Sequence, residues 1–190
     1  ALLSLDLKKN DEIITSAYSW ISVTEVCKVL GLKIKFADID LNNFNIELKN
    51  IEKVVSKRTK VIIPVSIFGM CSNLQEIKAF ADKKKITLIE DAAQSLGSKS
   101  LNKNSCNIAH ISCTSFFPTK VLGAYGDGGA IFTNNKKIHE RIHKIVNHGS
   151  KNREKFELVG LNARMDTFQS LFLLEKIKNL NNSIKRRRLI

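Results

Sequence analysis

No apolar run in the 190-residue sequence approaches the roughly 20 residues a membrane-spanning helix needs, so no membrane contact is expected. The apolar start, Ala1-Leu2-Leu3-Ser4-Leu5, has no basic leader and no small-residue cleavage site, and it does not read as a signal peptide. The four cysteines, Cys27, Cys71, Cys106 and Cys113, form no C-x-x-C pair and no Cys/His zinc spacing. That removes the support for redox or metal chemistry and leaves reduced, mostly buried thiols in a cytoplasmic protein as the simplest expectation. Internal repeats, low-complexity stretches and Pro/Gly/Ser linkers are also missing, so nothing divides the chain into two domains. Acid is scarce: 18 Asp and Glu stand against 31 Lys and Arg, a formal charge of +13. Such an excess can attract nucleic acid, but no aromatic stripe is interleaved with the basic residues to form a stacking platform. The charge is therefore read as solvated helix faces, matched in part to a phosphate-bearing substrate, and no nucleic-acid partner is expected. Its local concentrations are Lys83-Lys84-Lys85 and Lys185-Arg186-Arg187-Arg188.

What the sequence does have is the balance of a folded protein, 43% hydrophobic and 26% charged. Short runs rich in Ile and Val predict strands at Glu12–Thr15, Lys33–Ala37, Val61–Val65, Thr87–Ile89, Ile111–Ser115 and Ala130–Thr133. Between and after them, helical periodicity marks Trp20–Leu30, Leu48–Ser56, Leu74–Lys84, Lys136–Asn147 and Asp166–Leu180. Ile138, Ile142 and Ile145 share one face of the fourth helix. Asn73 with Glu76 three residues on resembles a capping box, Asp166 is placed to cap the last helix, and Gly31 suits a helix end. Alternating strands and helices predict an α/β fold, a mainly parallel central sheet with helices on both faces. Ligands of such sheets bind at the carboxyl ends of the strands.

Three segments sit at such ends. The run Ile86–Ile89 empties into Glu90-Asp91-Ala92-Ala93-Gln94, where an acid could meet a ligand or serve only as a turn or N-cap aspartate. Ser115-Phe116-Phe117-Pro118-Thr119-Lys120 leads into a glycine-rich stretch, Gly123 to Gly129, which can hold a lysine near a bound cofactor. Most lysines are solvated surface charges, and the glycines match neither a Walker loop nor a G-x-G-x-x-G fingerprint. Ser16-Ala17-Tyr18-Ser19-Trp20 contains the only tryptophan, which alone reads as a core or helix-entry residue.

Taken together these segments closely resemble the DegT/DnrJ/StrS family of nucleotide-sugar aminotransferases, of the fold-type I architecture that binds pyridoxal 5'-phosphate (PLP). The resemblance rests on Phe36 to Asp40, Arg58 to Val65, Glu90 to Gln94, Ser115 to Gly129, Asn147-His148-Gly149, Gly160 to Asp166 and Arg186-Arg187-Arg188, in the family's order. It implies that Lys120 is the catalytic residue, condensing with the PLP aldehyde and then shuttling a proton. It implies that Asp91 holds the ring nitrogen protonated, Gln94 bonds the ring hydroxyl, Trp20 stacks on the ring and Ser115 binds the phosphate. Asn162 matches a residue that reaches the PLP phosphate of the neighbouring subunit, which implies a homodimer with shared active sites. Against the family pattern the sequence starts inside the phosphate-cradling helix and stops before a smaller C-terminal domain. A PLP-binding large domain, 1–190, truncated at both ends, is therefore expected. Two departures stand out: Ser66 replaces a histidine common in relatives, with a bearing on substrate contacts, and His110 replaces a small or acidic residue.

The reaction so implied moves an amino group, from glutamate as donor, to the keto group of a nucleotide-linked sugar. Two rivals remain. One is a PLP-dependent sugar dehydratase of the same family, although members that work without the lysine linkage usually carry histidine in place of Lys120. The other is a non-catalytic regulator or scaffold on the same fold, which has no need of Lys120, Asp91, Gln94 and Ser115 together.

Overall fold

The computed structural model of the chain describes residues 1–152 and 154–189. A 3-10 turn at Leu2–Ser4 precedes β1 (Glu12–Thr15), α1 (Ser22–Val29), β2 (Lys33–Phe36), α2 (Leu48–Val54), β3 (Thr59–Ile63), α3 (Leu74–Lys84) and β4 (Thr87–Asp91). There follow β5 (Lys99–Ser100), β6 (Lys103–Asn104), β7 (Ile111–Ser115), β8 (Gly129–Phe132), α4 (Lys136–Val146), α5 (Thr167–Ile177) and α6 (Leu180–Arg187). Six strands form one sheet in the order β2-β1-β3-β4-β7-β8, and the first five run parallel. Within this sheet only β8 is antiparallel, paired with β7 through Ser115 opposite Gly129, while β5 and β6 form a separate antiparallel pair. The expected mainly parallel α/β sheet is the architecture found.

Strand periodicity explains the two-sided burial, because successive side chains point to opposite faces. Ile13, Ile63 and Ile89 pack with Val23 and Cys27 of α1 and with Ile138 of α4. Ile14, Ile62 and Leu88 turn the other way and pack with Ile51 of α2 and with Ile77 and Ala81 of α3. Each face is thus an aliphatic layer closed by helices, the arrangement a buried parallel sheet requires. At the amino ends of the strands Glu12, 2% exposed, is gripped by Lys35 (3.2 Å), Arg58 (2.9 Å) and the Ser56 hydroxyl. The Ser56 hydrogen bond and these cations hold its carboxyl below the usual range despite burial.

The differences from the sequence expectation are local. The third strand starts at Thr59 and stops at Ile63, because Pro64 has no N–H for the ladder, and β4 runs on to Asp91. The last expected helix stops at Ile177, and an unforeseen helix, α6, follows from Leu180, so that Leu173 and Leu180 both reach the packing around Phe116 and Leu122. Asn73 does not cap α3: its side-chain amide donates to Glu76 Oε2 (2.5 Å) and accepts nothing from the helix. Asp166 does cap α5 through Gln169 N–H (2.9 Å), and Asn135, unforeseen, caps α4 through the N–H groups of Lys137 and Ile138. Gly31 follows α1 at φ +69°, the left-handed geometry that favours glycine there. Only Cys27 of the four free cysteines is buried, the others being half-buried. No helix among the described residues is long and apolar enough to cross a membrane.

These caps make a paired test. Replacing Asn135 by Ala should cost about 1 kcal/mol in a urea melt, as lost N-caps do, whereas Asn73→Ala should cost well under half of that.

Candidate functional site

Crossover connections bring the ends of β1, β3, β4 and β7 to one side of the sheet, with Asp91 and Ser115 as the last residues of β4 and β7 and Trp20, Gln94 and Lys120 in the segments that follow β1, β4 and β7. Asp91 closes β4 and is held on both flanks by backbone. Its N–H donates to Pro64 O (2.9 Å), its carbonyl accepts from Ser66 N–H (2.9 Å), and Ala92 N–H donates to Cys113 O (2.7 Å). The Asp91 carboxylate accepts from Ala93 N–H (3.0 Å) and has no ion-pair partner among the described residues. Burial raises its pKa above the usual carboxylate range, with Ala93 N–H and the Lys120 charge opposing and Glu90 adding to the rise.

Lys120 sits on a loop shaped by Pro118. Lys120 N–H donates to Phe117 O (2.9 Å), Phe117 N–H to Ser115 Oγ (3.1 Å), and Ala124 N–H to Phe116 O (2.7 Å). Gly123 completes the bend, since a side chain there would collide with the Pro118 carbonyl. From outside, α5 braces the loop: Lys176 Nζ donates to Gly123 O (2.7 Å) and lies over the Tyr125 ring, and Gln169 Oε1 accepts from Tyr125 N–H (2.8 Å). The Lys120 amine itself has no hydrogen-bond or ion-pair partner among the described residues.

Two neighbouring cavities open here. One, of about 660 Å³, is lined by Lys120, Thr119, Gln94, Phe68, Arg187 and Arg188. The other, of about 490 Å³, is lined by Asp91, Ser115, Cys113 and Leu161 with apolar residues of α1. Ala93 belongs to both walls. The structure thus brings Lys120 to Gln94 and Asp91 to Ser115, in adjoining spaces, with Lys120 close enough to Asp91 to act on its charge. Trp20 stands at the entry to α1 with 77% of its surface exposed, so it is no core residue and its indole is largely uncovered. Asn162 is exposed and bridges Asn147, outside both sets of lining residues.

The donor set suits PLP. A carboxylate desolvated without a cation would be satisfied by a protonated ring nitrogen. Gln94 Oε1 is taken by Phe68 N–H (3.1 Å), which leaves its NH₂ to donate to a ring oxygen, and the Ser115 hydroxyl still has its proton for a phosphate. An unpartnered lysine amine on the wall of a ligand-sized cavity completes the set.

Several residues here escaped sequence reasoning. Arg187 and Arg188, part of a basic run that carried the family resemblance but was given no site role, line the Lys120 cavity. Tyr18, Phe44 and Phe68 pack ring against ring at centroid distances of 5.4, 6.2 and 5.8 Å beside Gln94. Ser66 is fully buried and bonded to Glu90 (3.3 Å), so it contacts the core and not a substrate, a correction that its burial enforces. His110 ties α3 to the sheet: Asp82 lies at its Nε2 (2.7 Å) and Leu88 N–H donates to its Nδ1 (2.8 Å). The recurrence of serine near strand ends, at 66, 72, 95, 105 and 112, was the available signal for this buried polar layer. Burial pushes the thiols up, Cys113 to about 11 and Cys106 to about 12, so neither is a ready nucleophile. Among the described residues no group of His, Cys, Asp and Glu could hold a metal ion.

The chain is similar in sequence and in fold to known proteins. A family model described as the DegT/DnrJ/EryC1/StrS aminotransferase family matches residues 1–190. The chain is 42% identical to UDP-2-acetamido-2-deoxy-3-oxo-D-glucuronate aminotransferase of Pseudomonas aeruginosa, covering 96% of this chain and 51% of that protein. It superposes on a DegT DnrJ EryC1 StrS aminotransferase from Brucella abortus with a TM-score of 0.92 at 31% identity, over 95% of this chain and 51% of the other. The structure of NtdA from Bacillus subtilis with bound cofactor PMP gives 0.87 at 32% identity, over 96% and 41%. The chain spans about half the length of the curated relatives it matches.

Burial of Asp91 has a sign that can be checked. A carboxyl whose folded pKa is raised gives stability that is present below its unfolded value, about 3.9, and lost as pH rises through the folded value. In cofactor-free protein Asp91→Asn should therefore melt at a higher temperature than wild type at pH 7, and the gap should close as the pH falls to about 3.9.

Proposed function

The chain belongs to the DegT/DnrJ/EryC1/StrS aminotransferase family, and we propose that residues 1–190 form the PLP-binding large domain of a sugar aminotransferase. The observation that carries this reading is the unpartnered Lys120 amine on a ligand-sized cavity, near an aspartate that burial has left without a cation. PLP, when bound, supplies an aldehyde to condense with an amine and a protonated ring that draws electrons from the adjoining carbon.

The chain's own residues supply the rest. Lys120 would hold the cofactor through its amine, and that amine, when free, could act as general base and acid at the reacting carbon. Asp91 keeps the ring nitrogen protonated, since a carboxylate in a desolvated place favours a cation strongly. Gln94 donates to the ring oxygen, Ser115 to the phosphate, and Trp20 covers one ring face. Arg187 and Arg188, beside Lys120, give the cavity the positive field that a nucleotide diphosphate would seek.

The substrate is a keto sugar on a nucleotide carrier, with glutamate as amino donor. Support comes from the UDP-linked keto sugar in the name of the Pseudomonas relative. The assembly is a homodimer with shared sites. Asn162 is exposed and so free to reach a neighbour, and α5 leaves Phe168, Leu171, Leu174 and Ile177 more than half exposed. The setting is the cytoplasm, where nucleotide sugars feed cell-surface polysaccharide assembly. Lys120 speaks against the dehydratases that replace this lysine, and a regulator on the same fold would not need the four polar residues together.

The test is the first half-reaction. PLP-loaded protein given glutamate should yield pyridoxamine phosphate and 2-oxoglutarate, and Lys120→Ala should slow that conversion by about 10²–10⁴-fold. Conversion at the wild-type rate in the variant would remove Lys120 from the chemistry. A wild type that binds PLP without converting it would favour the regulator.

A further inference from the structure

The mechanism uses neither buried glutamate, and of the two Glu12 is matched by cations whereas Glu90 has no ion-pair partner among the described residues. Glu90 is 0% exposed, yet both its oxygens are fully engaged. Oε1 accepts from Ser105 Oγ (2.8 Å), Ser66 Oγ (3.3 Å) and Ser95 Oγ (3.5 Å), and Oε2 from Cys106 N–H (2.8 Å) and Ser112 Oγ (3.0 Å). These donors come from the loop after β3, the turn after β4, the segment after β6, and β7. A carboxylate taken out of water is tolerated only with such compensation, and an apolar side chain on this face would serve packing at least as well. Leu88 and Ile62 do so on the same sheet face. The site must therefore gain something other than packing from an acid at 90.

Its position says what. Side chains alternate along a strand, so Glu90 points away from the face that Asp91 occupies while sharing a peptide bond with it. The segments that hold the Asp91 backbone, Pro64–Ser66 and the strand of Cys113, supply two of the four serines that grip Glu90, Ser66 and Ser112. Ser66 Oγ in turn accepts from Ser72 N–H (3.2 Å), and Ser95 lies 2.8 Å from Ser105, so the cage extends under the turn that carries Gln94.

We propose that Glu90 is a positioning residue for Asp91 and Gln94: its caged carboxylate pins the end of β4 and the turn beyond it to the neighbouring strand ends, and sets a negative charge behind Asp91. The inference rests on reading Asp91 as the partner of the cofactor's ring nitrogen. The rise that Glu90 adds to the proton affinity of Asp91 agrees with it, although burial is the larger cause there.

Glu90→Gln separates charge from shape. The amide oxygen can accept from Cys106 N–H while its NH₂ faces Ser66, Ser95 and Ser105, whose hydroxyls can rotate to accept. In the PLP-loaded full chain, two quantities are read: cofactor affinity by absorbance titration, and the pH midpoint at which the visible spectrum changes as the nitrogen linking Lys120 to the cofactor loses its proton. Glu90→Gln should bind PLP about tenfold more weakly and lower the midpoint by about one unit, because a removed negative charge no longer favours the proton. Ser112→Ala keeps the charge, so it should lose stability and leave the midpoint at the wild-type value. Wild-type affinity and midpoint in folded Glu90→Gln would overturn the proposal, whatever its melting temperature. Should that variant not fold, the Ser105→Ala/Ser112→Ala pair must weaken PLP binding by about threefold or more, and unchanged affinity would overturn it. A wild-type protein that takes up no PLP would defeat the function itself, whereas PLP uptake insensitive to residue 90 would defeat this inference alone.

Discussion

A parallel sheet can be closed only by crossovers, and that constraint decides where the chemistry of this chain can lie. With α1, α2 and α3 returning the chain across both faces, the ends of β1, β3, β4 and β7 fall on one side, and their loops bring Asp91, Gln94, Ser115 and Lys120 together there. The two aliphatic layers, one around Ile13 and one around Ile14, make the sheet a rigid base for those loops. The amino ends are secured separately by the Glu12 cluster with Lys35 and Arg58.

On that base the site is a place where burial opposes local comfort. Asp91 is desolvated without a cation, and Glu90 sits fully buried behind it. Each would be unfavourable alone. The backbone bonds from Pro64, Ser66 and Cys113 and the five donors around Glu90 make the arrangement sustainable, and they leave Asp91 with an unmet demand for positive charge. Lys120 is brought to the adjoining cavity by a different device, the Pro118–Gly123 bend braced by Lys176 and Gln169 of α5. Two independent supports thus hold the acid and the amine, consistent with a ligand that must touch both.

The strands were legible because doubly buried parallel strands are written as continuous Ile and Val runs, and Asp91 was legible because an acid at the end of such a run is conspicuous. Lys120 was marked by its strand end and glycine-rich neighbour, but its assignment to the cofactor came through family resemblance, since a lysine after a proline turn has no spacing of its own to fix its role. Glu90 was passed over because sequence does not distinguish a buried glutamate from a solvated one, and its donors are dispersed over Ser66 to Ser112. Helix α6 went unforeseen because its sequence, Leu180–Arg187, is mostly polar and ends in a basic run, and it is Leu180 that joins the packing around Phe116. Asn73 misled because its side chain finds Glu76 before it finds the helix N–H groups.

The central claim is that this cavity holds PLP on one particular lysine of the 31 basic residues in the chain. Borohydride reduction of the PLP-treated full-length protein, followed by peptide mapping by mass spectrometry, reads that directly. The account predicts a pyridoxyl group on Lys120. A folded protein in which Lys120 stays unmodified, or in which another lysine carries the label, would contradict it.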